Sequence, residues 1–210
     1  MPIPKFLINN YKNWKSSNYN NSKSLYDKAA TNKQKPKAMF ISCCDSRVNP
    51  ENIFKSQIGE FFIHRNIANI VPPFNKENDT TASALEYAIK ALNVPHVIVL
   101  GHSCCGGIEY GYQMHIKNKV NKNLKSVNKW INQIGSIFNN SKKIKDTNDI
   151  HYFEKENIKN SINNLLTYPY ILDLKKNNKI QIHGIWYELN SGKIMYLNYK
   201  SNKFEQIDYL

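Results

Sequence analysis

The chain has 210 residues, 41% of them hydrophobic, which suits one domain with a full core. Its formal charge of +13 invites a nucleic-acid reading, but the lysines are scattered among asparagines without a nucleic-acid motif and describe a solvated basic surface. No apolar run approaches the roughly 20 residues of a membrane span, and positions 1–10 lack a signal-peptide pattern, so no membrane association and a cytoplasmic location are expected.

Residues 1–33 read as an N-terminal helical arm, with the helix over Lys5 to Ala30. Ala38 to Ser42 is a short apolar run, a strand leading into Cys43, and a second strand is expected near Phe61 to His64. Thr80 or Thr81 caps a helix through Leu92, whose apolar stripe is Ala84, Leu85, Ala88 and Ala91. Pro95 marks a boundary before the strand His96 to Leu100. Helical spacing recurs at Val127, Trp130, Ile131, Ile134, Ile137 and Phe138, and again at Ile158, Ile162, Leu165 and Leu166, with a polar surface loop from Asn139 to Asp149 between them. Ile180 to Trp186 and Lys193 to Tyr199 read as strands around the turn signal Asn190-Ser191-Gly192. The alternation argues for an α/β fold, a mainly parallel central sheet flanked by helices.

Chemistry concentrates in two segments, Cys43-Cys44-Asp45-Ser46-Arg47 and His102-Ser103-Cys104-Cys105-Gly106-Gly107. If the first is extended, Cys43, Asp45 and Arg47 share one side and Cys44 the other. A helix-like turn in the second would pair His102 with Cys105 and turn Cys104 away. Two thiolates and an imidazole suit an open zinc site with a fourth position for water. Spacing alone leaves ordinary buried thiols and a closed zinc knot as alternatives, although neither cysteine pair has the C-x-x-C spacing of a knot. Adjacent cysteine pairs also fit a disulfide framework poorly.

These segments belong to a longer ordered series. Between them stand Gly59-Glu60-x-Phe62, Arg65-Asn66-Ile67-Ala68-Asn69 and Ala84-Leu85-Glu86-Tyr87-Ala88; after them come Asn164-Leu165-Leu166-Thr167-Tyr168-Pro169, then Gly184-Ile185-Trp186-Tyr187-Glu188 and Ser191-Gly192. From about Gln34 to Gly192 the chain resembles the beta class of carbonic anhydrases. Its paired cysteines and Val71-Pro72-Pro73 resemble the plant-type branch, which has bacterial members.

The resemblance implies one Zn²⁺ per chain on Cys43, His102 and Cys105, and reversible hydration of CO₂ to bicarbonate and a proton by attack of zinc-bound hydroxide. Two thiolates cancel the metal's charge, so its water should be less acidic than the value of about 7 reached with three histidines. Asp45 would accept the proton of that hydroxide, while Arg47 grips both carboxylate oxygens and keeps Asp45 off the metal. The resemblance further implies a substrate-facing Gln34 and an apolar wall of Phe62, Ile67 and Tyr87 drawn from the neighbouring subunit. Read without it, those three are core residues. The Gly106 amide near a helix start would favour an anion. A homodimer or higher homo-oligomer is implied, built through the N-terminal helices and a sheet edge. Phe40 departs from the bicarbonate-inhibited branch, which carries tryptophan three residues before the first zinc cysteine. Hydrolysis of CS₂ or COS on the same scaffold is the close enzymatic rival. A non-catalytic metal protein would have no need of Asp45, Arg47 and Gln34 together.

Overall fold

Residues 2–75, 80–141 and 149–207 are described by the computed structural model of the chain. The arm is two helices, α1 (Lys5–Trp14) and α2 (Lys23–Thr31), joined through a π-helical turn at Lys15–Tyr19. Aromatic rings hold the joint: Trp14 lies 5.5 Å from Tyr19 and 5.7 Å from Tyr26, centroid to centroid. Neither helix buries a residue, and α1 turns Phe6, Leu7 and Tyr11 outward.

Among the described residues six strands make one sheet in the order β2-β1-β3-β4-β5-β6. They are β1 (Ala38–Cys43), β2 (Phe61–Asn66), β3 (His96–His102), β4 (Gln181–Tyr187), β5 (Ile194–Asn198) and β6 (Lys203–Gln206). The pairs β1–β2, β1–β3 and β3–β4 are parallel, and β5 and β6 extend one edge antiparallel. The sheet is thus mainly parallel, as expected. From β1 the winding goes one way to β2 and the other way to β3. Such a reversal opens a crevice beyond the carboxyl ends of the two strands on either side of it. Cys43 is the last residue of β1 and His102 the last of β3.

The helices that follow are α3 (Pro50–Ile53), α4 (Thr80–Glu86), α5 (Gly106–His115), α6 (Lys125–Ile131), α7 (Gly135–Ser141), α8 (Ile150–Leu165) and α9 (Pro169–Lys176). The helix expected through Leu92 is α4 continued by a π-helical turn at Tyr87–Ala91. Three elements were not anticipated: α3 and α9, each with proline at its start, and the short edge strand β6. Proline opens a helix as readily as it closes one, and there α9 is anchored by buried Ile171. The loop expected from Asn139 begins later, because α7 runs on to Ser141 with Phe138 buried 5.0 Å from the Phe153 ring. Asp149 is the cap of α8, accepting from the His151 amide, and 142–148 lie outside the described residues.

Helix α8 organises the interior. Its apolar side, Ile158, Ile162 and Leu165, joins Met39, Ile41, Val97, Val99 and Trp186 in the main core. Close approach needs glycine in the strands: a Cβ on Gly101 would lie 2.7 Å from Ile158 Cδ1, and one on Gly184 2.9 Å from Ile158 Cγ2. The adjoining face of α8 is polar and repeats at helical spacing. Asn157 Nδ2 donates to the Ala68 carbonyl at 2.7 Å, Ser161 Oγ donates to the Asn69 carbonyl at 3.1 Å, and Asn164 Nδ2 donates to the Val71 carbonyl at 2.7 Å. These bonds hold Ala68 and Asn69 at φ of 62° and 47°, a left-handed conformation that costs free energy unless the surroundings impose it.

Gly101→Ala is expected to destabilise the fold by about 1–3 kcal/mol through overpacking, without reaching the site's side chains. Ile158→Val, which removes the clashing Cδ1, should recover part of that loss in the double variant, read as the shift in urea midpoint at unchanged slope.

Candidate metal centre

Cys43 ends β1, His102 ends β3, and Cys105 stands immediately before the first turn of α5. The pairing of His102 with Cys105 is as expected, but its cause is not a helical turn. His102 is still in the strand, and the chain reverses through Ser103 and Cys104, the latter at φ 58°. All three residues are buried, and their ligand atoms lie within 4.8 Å of one another. The two sulfurs are 3.9 Å apart. His102 Nδ1 donates to the Ser103 carbonyl at 2.9 Å, which leaves Nε2 buried without a hydrogen-bond partner. Cys44 and Cys104 are both exposed.

The protonation of this group is that of a site short of positive charge. The Cys43 thiol is held well below its usual value, chiefly by the hydrogen bond from Cys105 and then by His102. Cys105 is pushed up in turn, by the bond to Cys43 and by burial. Burial opposes protonation of His102, yet the nearby Cys43 sulfur brings the imidazole out above its ordinary value. A divalent cation resolves the competition by taking both sulfurs as thiolates. The donor set fits zinc: with Zn–S near 2.3 Å, a tetrahedron spaces its sulfurs about 3.8 Å apart, and the orphaned imidazole nitrogen supplies the third lone pair.

Asp45 and Arg47 are placed by a turn, not by strand alternation. Beyond Cys44 the chain bends, with the Val48 amide donating to the Asp45 carbonyl at 3.0 Å. Asp45 Oδ1 accepts from the Arg47 amide and from Arg47 Nε, both at 2.9 Å, and Oδ2 accepts from Nη2 at 2.7 Å. This grip, first the side-chain bond, holds the carboxyl far below the usual carboxylate range. Arg47 Nη2 also donates to the Cys104 carbonyl at 3.0 Å, bridging the two motifs. Asp45 Oδ2 comes within 4.0 Å of His102 Nε2, adjacent to the three ligand atoms but outside their group.

Two residues that hold this arrangement had no role in the sequence reading. Arg65, on β2, donates from Nε to the Cys43 carbonyl at 2.9 Å and from Nη2 to the Asp45 and Val48 carbonyls at 2.7 Å. Glu154, on α8 and 2% exposed, accepts from the Cys105 amide at 3.0 Å, from Trp186 Nε1 at 3.0 Å and from His151 Nδ1 at 2.9 Å. The available signal was its position: an acid one turn before Ile158 on the buried face of an amphipathic helix.

Of the remaining expected residues, Gly106 opens α5 with open space in front of it, while a Cβ on Gly107 would meet Ile67 Cγ2 and Ala68 Cβ at 2.9 Å. Phe62 and Tyr87 pack with ring centroids 5.9 Å apart. Ile67 and Tyr87 are 39% and 50% exposed, so neither is the core residue that its type alone suggested. Gln34 lies in a separate surface groove with Leu25, Lys28, Gln57 and Ile58. Phe40 is buried, its ring 4.6 Å from Phe61 and 5.4 Å from Phe54.

Residues 38–194 match the family model for carbonic anhydrase. The chain belongs to this family. Within it, the chain is 38% identical over 186 residues to beta carbonic anhydrase 3 of Arabidopsis thaliana, covering 85% of this chain and 70% of that protein. Among solved structures it is similar to the beta-carbonic anhydrase CcaA, with a TM-score of 0.88 and 28% identity over 96% of this chain and 98% of the other. A tetrameric beta-carbonic anhydrase of Sordaria macrospora is similar at a TM-score of 0.80 and 25% identity, over 92% and 95% of the two chains. These relatives place the chain in the beta class.

Serine at Cys43 or Cys105 should abolish tight zinc binding, whereas serine at exposed Cys44 or Cys104 should leave one zinc per chain. Metal quantification after dialysis decides this: loss in the Cys104 variant with retention in the Cys105 variant would reverse the assignment.

Proposed function

We propose that this chain interconverts CO₂ and bicarbonate, with one zinc ion held by Cys43, His102 and Cys105. The reading is carried by one observation: two buried sulfurs and an unpartnered imidazole nitrogen converge beside a carboxylate that an arginine holds in check. Bound there, zinc would supply a Lewis acid that turns water into a nucleophile at accessible pH.

The chain's own residues supply orientation. Asp45 is held ionised, so it accepts hydrogen bonds and has no proton to give; its role is to fix the direction of an O–H beside the ligands. Arg47 occupies both carboxylate oxygens and thereby opposes movement of Asp45 onto the metal. Gly106 is the first residue of α5, and an amide at a helix start is suited to a product that is an anion.

CO₂ is apolar and needs a dry wall. Phe62 and Tyr87 pack ring to ring, and Ile67 and Tyr87 are largely open to solvent in one chain, which supports their use as such a wall for a second copy. The outward apolar side chains of the arm and the tetrameric relative support a homo-oligomer. Among the described residues no helix is long and apolar enough to cross a membrane. Four free thiols, two of them needed as metal ligands, support a reducing cytoplasmic setting.

Stopped-flow CO₂ hydration on zinc-quantified protein tests the reading. Acceleration that tracks zinc content and falls about 100-fold or more in Asp45→Asn is expected; a zinc-loaded protein inert at alkaline pH excludes it. In Arg47→Ala, the freed Asp45 should join the metal, and zinc absorption spectroscopy should count four protein ligands in place of three.

Subunit crossing has its own arithmetic. If Gln34 serves its own site and Tyr87 the partner's, a heterodimer of Gln34→Ala with Tyr87→Ala holds one doubly defective site and one intact site. Mixing two impaired homodimers should therefore restore activity up to about one good site per heterodimer. Verified heterodimers that stay at the parental level would show that the pocket does not cross the interface.

A further inference from the structure

Strand β3 carries a histidine at each end. His102 closes it at the metal centre, and His96 opens it, roughly 20 Å away at about 3.3 Å per residue. Beside His96 in the neighbouring strand is His183, one diagonal step away, since His96 is in register with Gln181 and Ile98 with His183. The two rings lie 5.4 Å apart, with His96 Nδ1 and His183 Nε2 separated by 3.3 Å. Both side chains are half-buried, and each imidazole has the other as its polar neighbour.

We infer that His96 and His183 form a second metal site, for a divalent first-row cation of the zinc class, at the opposite end of β3 from the three-ligand centre. Two nitrogens bound to zinc at about 2.0–2.1 Å in a tetrahedron stand roughly 3.3–3.4 Å apart, the spacing found here. One nitrogen of each ring already faces the other at this spacing, so a tilt of the two rings would turn both lone pairs onto one ion. Burial, and then the neighbouring imidazole, hold His183 below its ordinary pKa, which keeps its lone pair available at neutral pH.

The proton count closes without a co-reactant. In the empty pair one ring donates its N–H to the other. When the cation enters, the donating ring shifts that proton to its outer nitrogen, and both inner lone pairs go to the metal. No net proton is released. Water completes the coordination shell, because among the described residues the single group of three or more ligands is Cys43, His102 and Cys105. Two protein ligands on a chain of charge +13 make this the weaker site, filled only after the first.

The test starts from enzyme holding one zinc per chain and titrates in further Zn²⁺ calorimetrically, in a buffer that does not bind metal. A second, weaker equivalent is expected, together with shifts of the His96 and His183 imidazole resonances and an unchanged rate of CO₂ hydration. His96→Gln and His183→Gln should each weaken the second equivalent at least tenfold while retaining the first zinc. The resonance shifts in the unaltered enzyme report on the site even if a variant folds poorly. A large excess of Zn²⁺ that moves neither resonance, or a second equivalent that survives both substitutions, overturns the assignment.

Discussion

The site depends on the contact between α8 and the sheet. Glycine at 101 and 184 lets the helix sit directly on β3 and β4, and that closeness brings its polar face within reach of the chain that surrounds the metal ligands. Asn157, Ser161 and Asn164 hold the left-handed turn at Ala68 and Asn69, and Glu154 holds the amide of Cys105. The turn at Ala68 in turn touches Gly107 at the start of α5. One helix therefore sets both the backbone behind a ligand and the loop in front of it. The precision comes from rigid elements and not from the exposed ends of the motifs, as a site requiring accurate geometry demands.

Charge balance explains why the ligands and the dyad occur together. Without a cation, two thiols and one imidazole share too little positive charge, and their protonation preferences are pulled in opposite directions. A dication removes that conflict but would attract any free carboxylate nearby. Arg47 answers this by engaging both Asp45 oxygens, and its link to the Cys104 carbonyl holds the guanidinium between the two motifs. On the proposed function, this places Asp45 where it would orient a substrate group while restrained from becoming a ligand.

The arm and the aromatic wall pose a different physical problem. Phe6, Leu7 and Tyr11 on α1 and Ile67 and Tyr87 near the site all present apolar surface to water in a single chain. Scattered exposed apolar residues are ordinary, but a helix that buries none of its own residues has little within its chain to hold it in place. The proposed association between copies would cover both features.

Much of this was legible in the sequence because strand and helix periods differ. Apolar runs at Ala38 to Ser42 and His96 to Leu100 marked the two strands that carry ligands, and the ordered motifs identified Cys43, His102 and Cys105 as a set. Local pattern could not distinguish an extended Asp45 from one in a turn, since the turn is stabilised by Arg65 from a strand that pairs only in the folded sheet. Nor could it assign Glu154, whose partners Cys105 and Trp186 are distant along the chain and adjacent only after α8 docks. Ile67 and Tyr87 read as core because residue type reports hydrophobicity and not which surface will cover it. The sequence by itself determined the ligand types, their chemistry and the family. The tertiary structure decided how those ligands are oriented and what restrains them, because hydrogen bonds between distant segments exist only once the strands and α8 are packed.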